Sequence, residues 1–334
     1  SMATHTPHAL ISGAGIAGLA AAWWLQRIGW RCTVIEQAPG LRDGGHMLGL
    51  SGPGLATARQ MDLVDALQAV AFPDMGLHVY RDRNDREILR MDYRTLLRDM
   101  QWITLRRGDL VRTLYQRVAE TVEVRFGQRI TAVAQDAHAV QATLDDGSVL
   151  HADLLLAADG VHSWLRQQLF AADAQALQPL GYRYASYEID DPQQLAEQFV
   201  SYPEPALQSE YYALGHGRLA ALHVWRSDDC GEVASPARVP LLQQVTARSN
   251  RFVRYGLQHA ASDSPVVIDD LALVTLPRWH NGRVLLMGDA AHSLSLISGQ
   301  GAGMALASAS VLAQELQRVA DLPQAEAIAA ALER

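Results

Sequence analysis

Apolar and polar positions along this chain follow two periods, and the switches between them mark its elements. Residues 9–12 form a short continuous apolar run of the kind a buried strand makes, and Gly13-Ala-Gly-Ile-Ala-Gly18 follows directly. The next apolar stretch keeps helical spacing to about Ile28, where Gly29 ends it, and 31–36 reads as a second buried strand. Together these make a strand–helix–strand unit. Residues 39–54 are glycine-rich and irregular, 53–70 predict one helix, and 77–91 alternate about Asn84-Asp85 like a hairpin. A helix begins at Arg107, with Asp109 in its first turn, where a carboxylate suits the helix dipole. Residues 122–156 predict strand after strand, with a hairpin turn at Asp145-Asp146-Gly147. Proline and aromatic residues are more frequent over 171–280, helical order is lower, and strands are expected at 211–214 and 219–225. Residues 283–287 form another buried strand, and an alanine-rich helix runs from Gly301.

A length of 334 residues implies two lobes, or one domain with a large insertion. Such a chain needs no disulfide or metal staple. Its two cysteines, Cys32 and Cys230, are expected as separate thiols because Cys32 falls in a buried strand, which points to a reducing, cytoplasmic setting. The net charge of −8 provides no electrostatic footprint for nucleic acid, and basic clusters such as 81–98 are interspersed with acids. The apolar run at 9–25 lacks a basic leader and carries motif-spaced glycines, so it reads as strand, turn and helix, not a signal. No other stretch has the length to span a bilayer. The histidines are scattered without ligand spacing, which supports no metal site.

Gly13-x-Gly15-x-x-Gly18 between a strand and a helix is the pattern of a dinucleotide-binding turn. Gly13 permits the turn, Gly15 lets the backbone approach a pyrophosphate, and Gly18 allows close helix–strand packing; Ala17 is counted with them. The helix start favours an anionic diphosphate. Glu36 ends the second strand, where a carboxylate accepts from a ribose 2′-OH and repels a 2′-phosphate. This motif disfavours NADP here and leaves NAD and FAD open. Two later segments bear on the choice. Asp159-Gly160 follows the strand at 154–157 and is trailed by Ser163 and Arg166. Gly288-Asp289 ends the strand at 283–287, with Gly299-Gln300-Gly301 shortly after. A carboxylate such as Asp289 at a strand's C-terminal end faces the ligand crevice of an open α/β sheet, within reach of ribitol hydroxyls. The turn at 299–301 offers N–H groups to a flavin edge. In this order the three segments favour FAD.

The set resembles the para-hydroxybenzoate hydroxylase-like class A flavoprotein monooxygenases over nearly the whole chain. Residues 11–18, Gly44-Gly45 with Gly52-Pro-Gly54, 105–110 and Ser298-Gly-Gln-Gly301 are similar to the branch with tetracycline-degrading and polyketide hydroxylases. The resemblance implies an α/β, Rossmann-like FAD-binding fold with an inserted β-sheet substrate domain. The FAD-binding domain would be discontinuous over 1–71, 106–170 and 281–334, and the substrate domain would comprise 72–105 and 171–280. It implies that Gly13, Gly15 and Gly18 face the diphosphate, Glu36 the adenosine ribose, and Arg42 and Arg107 the ribose and phosphates. Asp289 would meet the diphosphate and ribitol, Gly299 and Gly301 the isoalloxazine edge. Asp159 and Gly160 match a segment tied to both FAD and NAD(P)H. The implied activity is hydroxylation of an aromatic or polyketide-like molecule with NAD(P)H and O₂ through a flavin hydroperoxide. Another flavin oxidoreductase, oxidase or reductase, and a ligand-binding protein without turnover are the alternatives. An aromatic or polycyclic substrate and a monomer or homodimer are expected, with no nucleic-acid or membrane partner. On the inserted sheet, Tyr211, His223 and Trp225 are candidate substrate contacts; no catalytic base is assigned. The chain departs from the family at Leu296, where proline is common, and at Ala307-Ser308, where an acidic pair is common. Family chains also often continue further, which implies a shortened C-terminal brace. The Trp-x-Trp-x-Ile-Pro signature of halogenases on this fold is absent.

Overall fold

The apolar runs fold into strands that alternate with helices, as the patterning predicts, in two lobes traversed more than once. A computed structural model describes residues 5–41, 47–72, 77–92, 101–160, 163–170, 177–190, 199–274, 280–288 and 300–319. The chain opens with β1 (His8–Ser12), α1 (Ile16–Arg27) and β2 (Arg31–Glu36), then β3 (Met47–Ser51), α2 (Gly52–Gln60) and α3 (Val64–Val70). A hairpin of β4 (Leu77–Arg81) and β5 (Glu87–Asp92) precedes β6 (Trp102–Arg106) and α4 (Arg107–Val118). Next come β7 (Glu123–Phe126), the meander β8 (Ile130–Gln135), β9 (Val140–Leu144) and β10 (Val149–Ala152), then β11 (Leu154–Ala157) and α5 (Trp164–Leu169). The second lobe adds β12 (Leu177–Asp190), β13 (Phe199–Glu204), β14 (Leu207–Gly215), β15 (Arg218–Arg226), α6 (Ser235–Val245), α7 (Arg251–Gln258) and β16 (Val267–Val274). The chain then returns through β17 (His280–Asn281), β18 (Val284–Leu286) and α8 (Gln300–Arg318).

The first lobe is built on a six-stranded sheet in the order β17-β18-β11-β1-β2-β7, parallel except at β17. Ala9–Ile11 of β1 and Leu154–Ala157 of β11 are apolar throughout because both faces of the sheet are covered there. Ala9 and Ile11 pack under α1, α4 and α8. Leu10, Leu155 and Ala157 point the other way, into the β8–β10 meander and Leu165 of α5. Helices α2 and α8 cross at Gly54 and Gly303, where a Cβ on Gly54 would overlap the Gly303 Cα. Cys32 is buried, Cys230 exposed, and both are free thiols. Among the described residues no helix is long and apolar enough to cross a membrane.

The second lobe is a seven-stranded sheet, β16-β12-β15-β14-β13-β4-β5, so the early hairpin joins strands made more than a hundred residues later. Helices α6 and α7 cover one face; Leu242, Val253 and Leu257 pack there on Tyr187, Tyr211 and Trp225. Three expectations change. The helix expected over 53–70 is two, because Asp62 adopts a left-handed φ of 57° between them. The strands expected at 211–214 and 219–225 extend to the full β14 and β15. Helices α6 and α7 were not anticipated in 171–280; α6 carries Pro at its start and Pro240 inside, which disguises its spacing.

The lobes are joined by a charge cluster. Arg106 Nε and Nη2 donate to the two carboxylate oxygens of Glu188, at 2.9 and 3.0 Å, and Arg218 Nε donates to Oε1 at 3.1 Å. The Arg106 guanidinium also lies over the Phe72 ring, which meets Tyr212 of β14 edge-on. The sheet face opposite α6 and α7 is therefore the one turned toward the first lobe.

Candidate cofactor site

The crevice at the C-terminal ends of β1, β11 and β18 is where the order of the parallel sheet reverses direction. Ser12 pairs with Ala157, and Ala157 with Leu286, so the glycine turn after β1, Asp159 after β11 and Gly288 after β18 come together. The glycines have different jobs. Gly13 adopts φ 112°, and a Cβ there would overlap the Ala158 carbonyl. A Cβ on Gly18 would overlap the Gly13 carbonyl oxygen. Gly15 differs: a Cβ would meet nothing within 4 Å. It is the N-cap of α1, and among the described residues no side chain caps that helix. Ala17 faces Gly288, where an added Cβ would come within 2.7 Å of the alanine methyl.

Glu36 is fixed beside this turn. Its Oε1 accepts from Ala14 N at 3.0 Å and its Oε2 from Ala38 N at 2.7 Å. Each oxygen keeps a further lone pair for a ligand hydroxyl. The chain that follows Glu36 lines a cleft of about 610 Å³, with Gln37, Ala38 and Leu41 on one side and Gln128, Arg129 and Asp145 on the other. The sequence reading missed the far wall of this cleft. Its signal was Gly127-Gln128, directly after a strand, at the same sheet edge as Glu36.

Arg107 is half-buried in the first turn of α4 and forms no ion pair with any described residue. Its neighbour Arg106 takes the structural role, bound to Glu188. Asp159 sits above β11 and accepts from Ser163 Oγ at 2.5 Å, while Ser163 caps α5. Burial pushes the Asp159 carboxyl up, and the Ser163 hydrogen bond opposes this. Gly301 lies in the first turn of α8. Arg42, Asp289, Gly299 and Leu296 lie outside the described residues.

The donor set fits an extended dinucleotide: main-chain amides at a helix start, a carboxylate anchored at the end of the neighbouring strand, and a guanidinium unpaired among the described residues. Gly15 leaves space that a Cβ would fill.

Tyr211, His223 and Trp225 are corrected. All three point to the face covered by α6 and α7 and belong to the core there. His223 is fully buried, 2.7 Å from both Tyr187 Oη and Ser209 Oγ, and burial lowers its pKa to about 4. The alternation was read correctly, but the face was the wrong one. The residues presented to the first lobe are the intervening ones: Glu188, Glu210, Tyr212, Phe199 and Ser201.

Known proteins resemble this chain over most of its length. The family profile described as FAD binding domain matches residues 6–195 and 265–326. An uncharacterized protein of Mycobacterium tuberculosis (strain H37Rv) is 31% identical over 319 residues, spanning 93% of this chain and 85% of its own. A flavin-dependent monooxygenase of Legionella longbeachae is 28% identical over 333 residues, 92% of this chain and 80% of its own. The crystal structure of tetracycline destructase Tet(55) superposes with a TM-score of 0.85 at 25% identity, covering 99% of this chain and 86% of that one.

Proposed function

Because the chain belongs to the FAD-binding-domain family of class A flavin-dependent monooxygenases, we propose that it uses NAD(P)H and O₂ to hydroxylate an aromatic or polycyclic small molecule. Bound FAD would supply the redox chemistry, taking a hydride equivalent from the nicotinamide and passing one atom of O₂ to the substrate. The chain's own residues bind, orient and shield. The amides at Gly15 and the first turn of α1 receive the diphosphate, and the helix dipole favours its charge. Arg107 adds a positive charge not committed elsewhere among the described residues. Glu36, locked by two amides, accepts from the adenosine ribose, and the adjoining 610 Å³ cleft has room for the adenine. Asp159 stands at the same crevice and serves the nicotinamide during its visit, while Arg166 lies buried behind it. The substrate lies against the sheet face of Tyr212 and Glu210, where the two lobes together exclude water. Catalysis takes place in a reducing, cytoplasmic setting, where Cys32 and Cys230 stay thiols.

The observation that carries this reading is the open, uncapped helix start at Gly15, set beside the anchored Glu36 at the switch point of the sheet. The test is the absorption spectrum of the purified protein, then stopped-flow NAD(P)H oxidation with and without phenolic and polycyclic compounds. Flavin uptake with substrate-accelerated oxidation is expected. Folded protein that stays colourless at saturating FAD overturns the proposal.

A further inference from the structure

The sheet face turned toward the cofactor lobe bears a carboxylate that pairs with no cation among the described residues. Along β14, Tyr211 points to α6 and α7, so Glu210 and Tyr212 point the other way. Glu210 stands in register between Ser201 of β13 and Leu222 of β15; the next row holds Phe199, Tyr212 and Ala220. The same face meets the first lobe through Tyr212 against Phe72 and Glu188 against Arg106. Arg106 and Arg218, which reach this face, are both engaged by Glu188.

Among the described residues no cation pairs with Glu210. Its Oε1 accepts from Gln208 Nε2 at 2.8 Å, and the Ser201 hydroxyl donates to it as well. Ser201 is fully buried, and its Oγ lies 2.7 Å from Nε2 of His78. Burial holds the His78 imidazole down to about 4, so this line of groups is neutral at pH 7. Burial also pushes the Glu210 carboxyl up, and the hydrogen bonds from Gln208 and Ser201 oppose this only in part. Such a group carries a desolvation cost that packing alone would not demand, since glutamine would make the same hydrogen bonds. A positive charge brought in by a ligand would offset that cost.

We propose that Glu210 is a specificity-determining residue, and that the substrate carries a basic nitrogen (amine, amidine or guanidine) on or beside its ring system. The assignment rests on the hydroxylase reading above. It also predicts discrimination against ring systems that carry a carboxylate.

Three phenols with a two-carbon para substituent test it: tyramine, 4-ethylphenol and 4-hydroxyphenylacetate, which are cationic, neutral and anionic. Kd values for the holoenzyme come from calorimetry, and turnover from NAD(P)H oxidation. Tyramine is expected to bind roughly ten- to a hundredfold more tightly than 4-ethylphenol, as a charged hydrogen bond provides, and 4-hydroxyphenylacetate least. Glu210→Gln should bring the three values together, and Glu210→Lys should invert their order; a melt of each variant confirms folding. Equal affinities in the parent protein, an order that survives Glu210→Gln, or no binding of tyramine at millimolar concentration would each overturn the assignment. Charge-ordered binding without any NAD(P)H oxidation would leave Glu210 in place and refute the hydroxylase reading. Turnover without charge order would do the reverse.

Discussion

Gly15 and Gly18 are three residues apart in one motif, yet substituting alanine at each should damage different properties. Gly15 has φ −87° and ψ −167°, a conformation open to any residue, and its Cβ would stand in empty space. Alanine there costs the apoprotein only the weaker N-cap, about 0.5–1 kcal/mol. It does fill the space through which, on the proposed reading, a phosphate reaches the amides. Losing one charged hydrogen bond costs roughly 1.5–3 kcal/mol, or about ten- to a hundredfold in the Kd for FAD. At Gly18 the Cβ would overlap the Gly13 carbonyl oxygen, so α1 must move off β1. Overpacking of that kind costs about 1–3 kcal/mol. At about 2–4 °C per kcal/mol, its melting temperature should fall visibly. The assays are thermal melts of the apoproteins and FAD titrations followed by flavin fluorescence. A Gly15→Ala protein that binds FAD like the parent, or that melts below Gly18→Ala, would refute the division of labour.

Other outcomes follow from single contacts. Gly54→Ala should be more destabilising than Gly303→Ala, because a Cβ on Gly54 overlaps Gly303 Cα whereas one on Gly303 stops 3.3 Å from Gly54 Cα; paired melts decide it. Glu188→Gln removes the carboxylate shared by Arg106 and Arg218 and should cost about 1–3 kcal/mol in denaturant melts. Burial lowers the pKa of His223 and His78 to about 4, so between pH 6.5 and 4 the unfolded chain binds protons that the folded one does not. Stability is therefore complete above pH 6.5 and declines as pH falls toward 4, by on the order of 3 kcal/mol per histidine. His223→Gln should remove one proton from that slope, and an unchanged slope would refute the assignment.

The cofactor half was legible because its constraints are local. The turn at Gly13–Gly18, the strand ending at Glu36 and the hairpin at Asp145–Gly147 are each set by residues a few positions apart. The inserted lobe was not legible in the same way. Alternation along β14 and β15 shows which residues share a face but not which face will be covered. That depends on α6 and α7, and prolines break the helical spacing of α6. So Tyr211, His223 and Trp225 read as candidates to meet a ligand, while Glu210, on the other face of the same strand, drew no attention. The break at Asp62 was hidden likewise, because a left-handed aspartate leaves no mark in hydrophobic spacing.

The pairing partners in both sheets are far apart in the chain. Ala9 pairs with Leu154, Leu155 with Val284, and His78 with Phe199. High contact order of this kind makes folding slow, since long loops must close before their contacts repay the entropy. A nascent chain released after residue 170 would hold β11 without β18 and β4 without β13, leaving two open edges with nothing of their own to cover them. Neither lobe can finish before the other has begun: the second closes only once β16 has been made, and the first must then wait for β18 and α8.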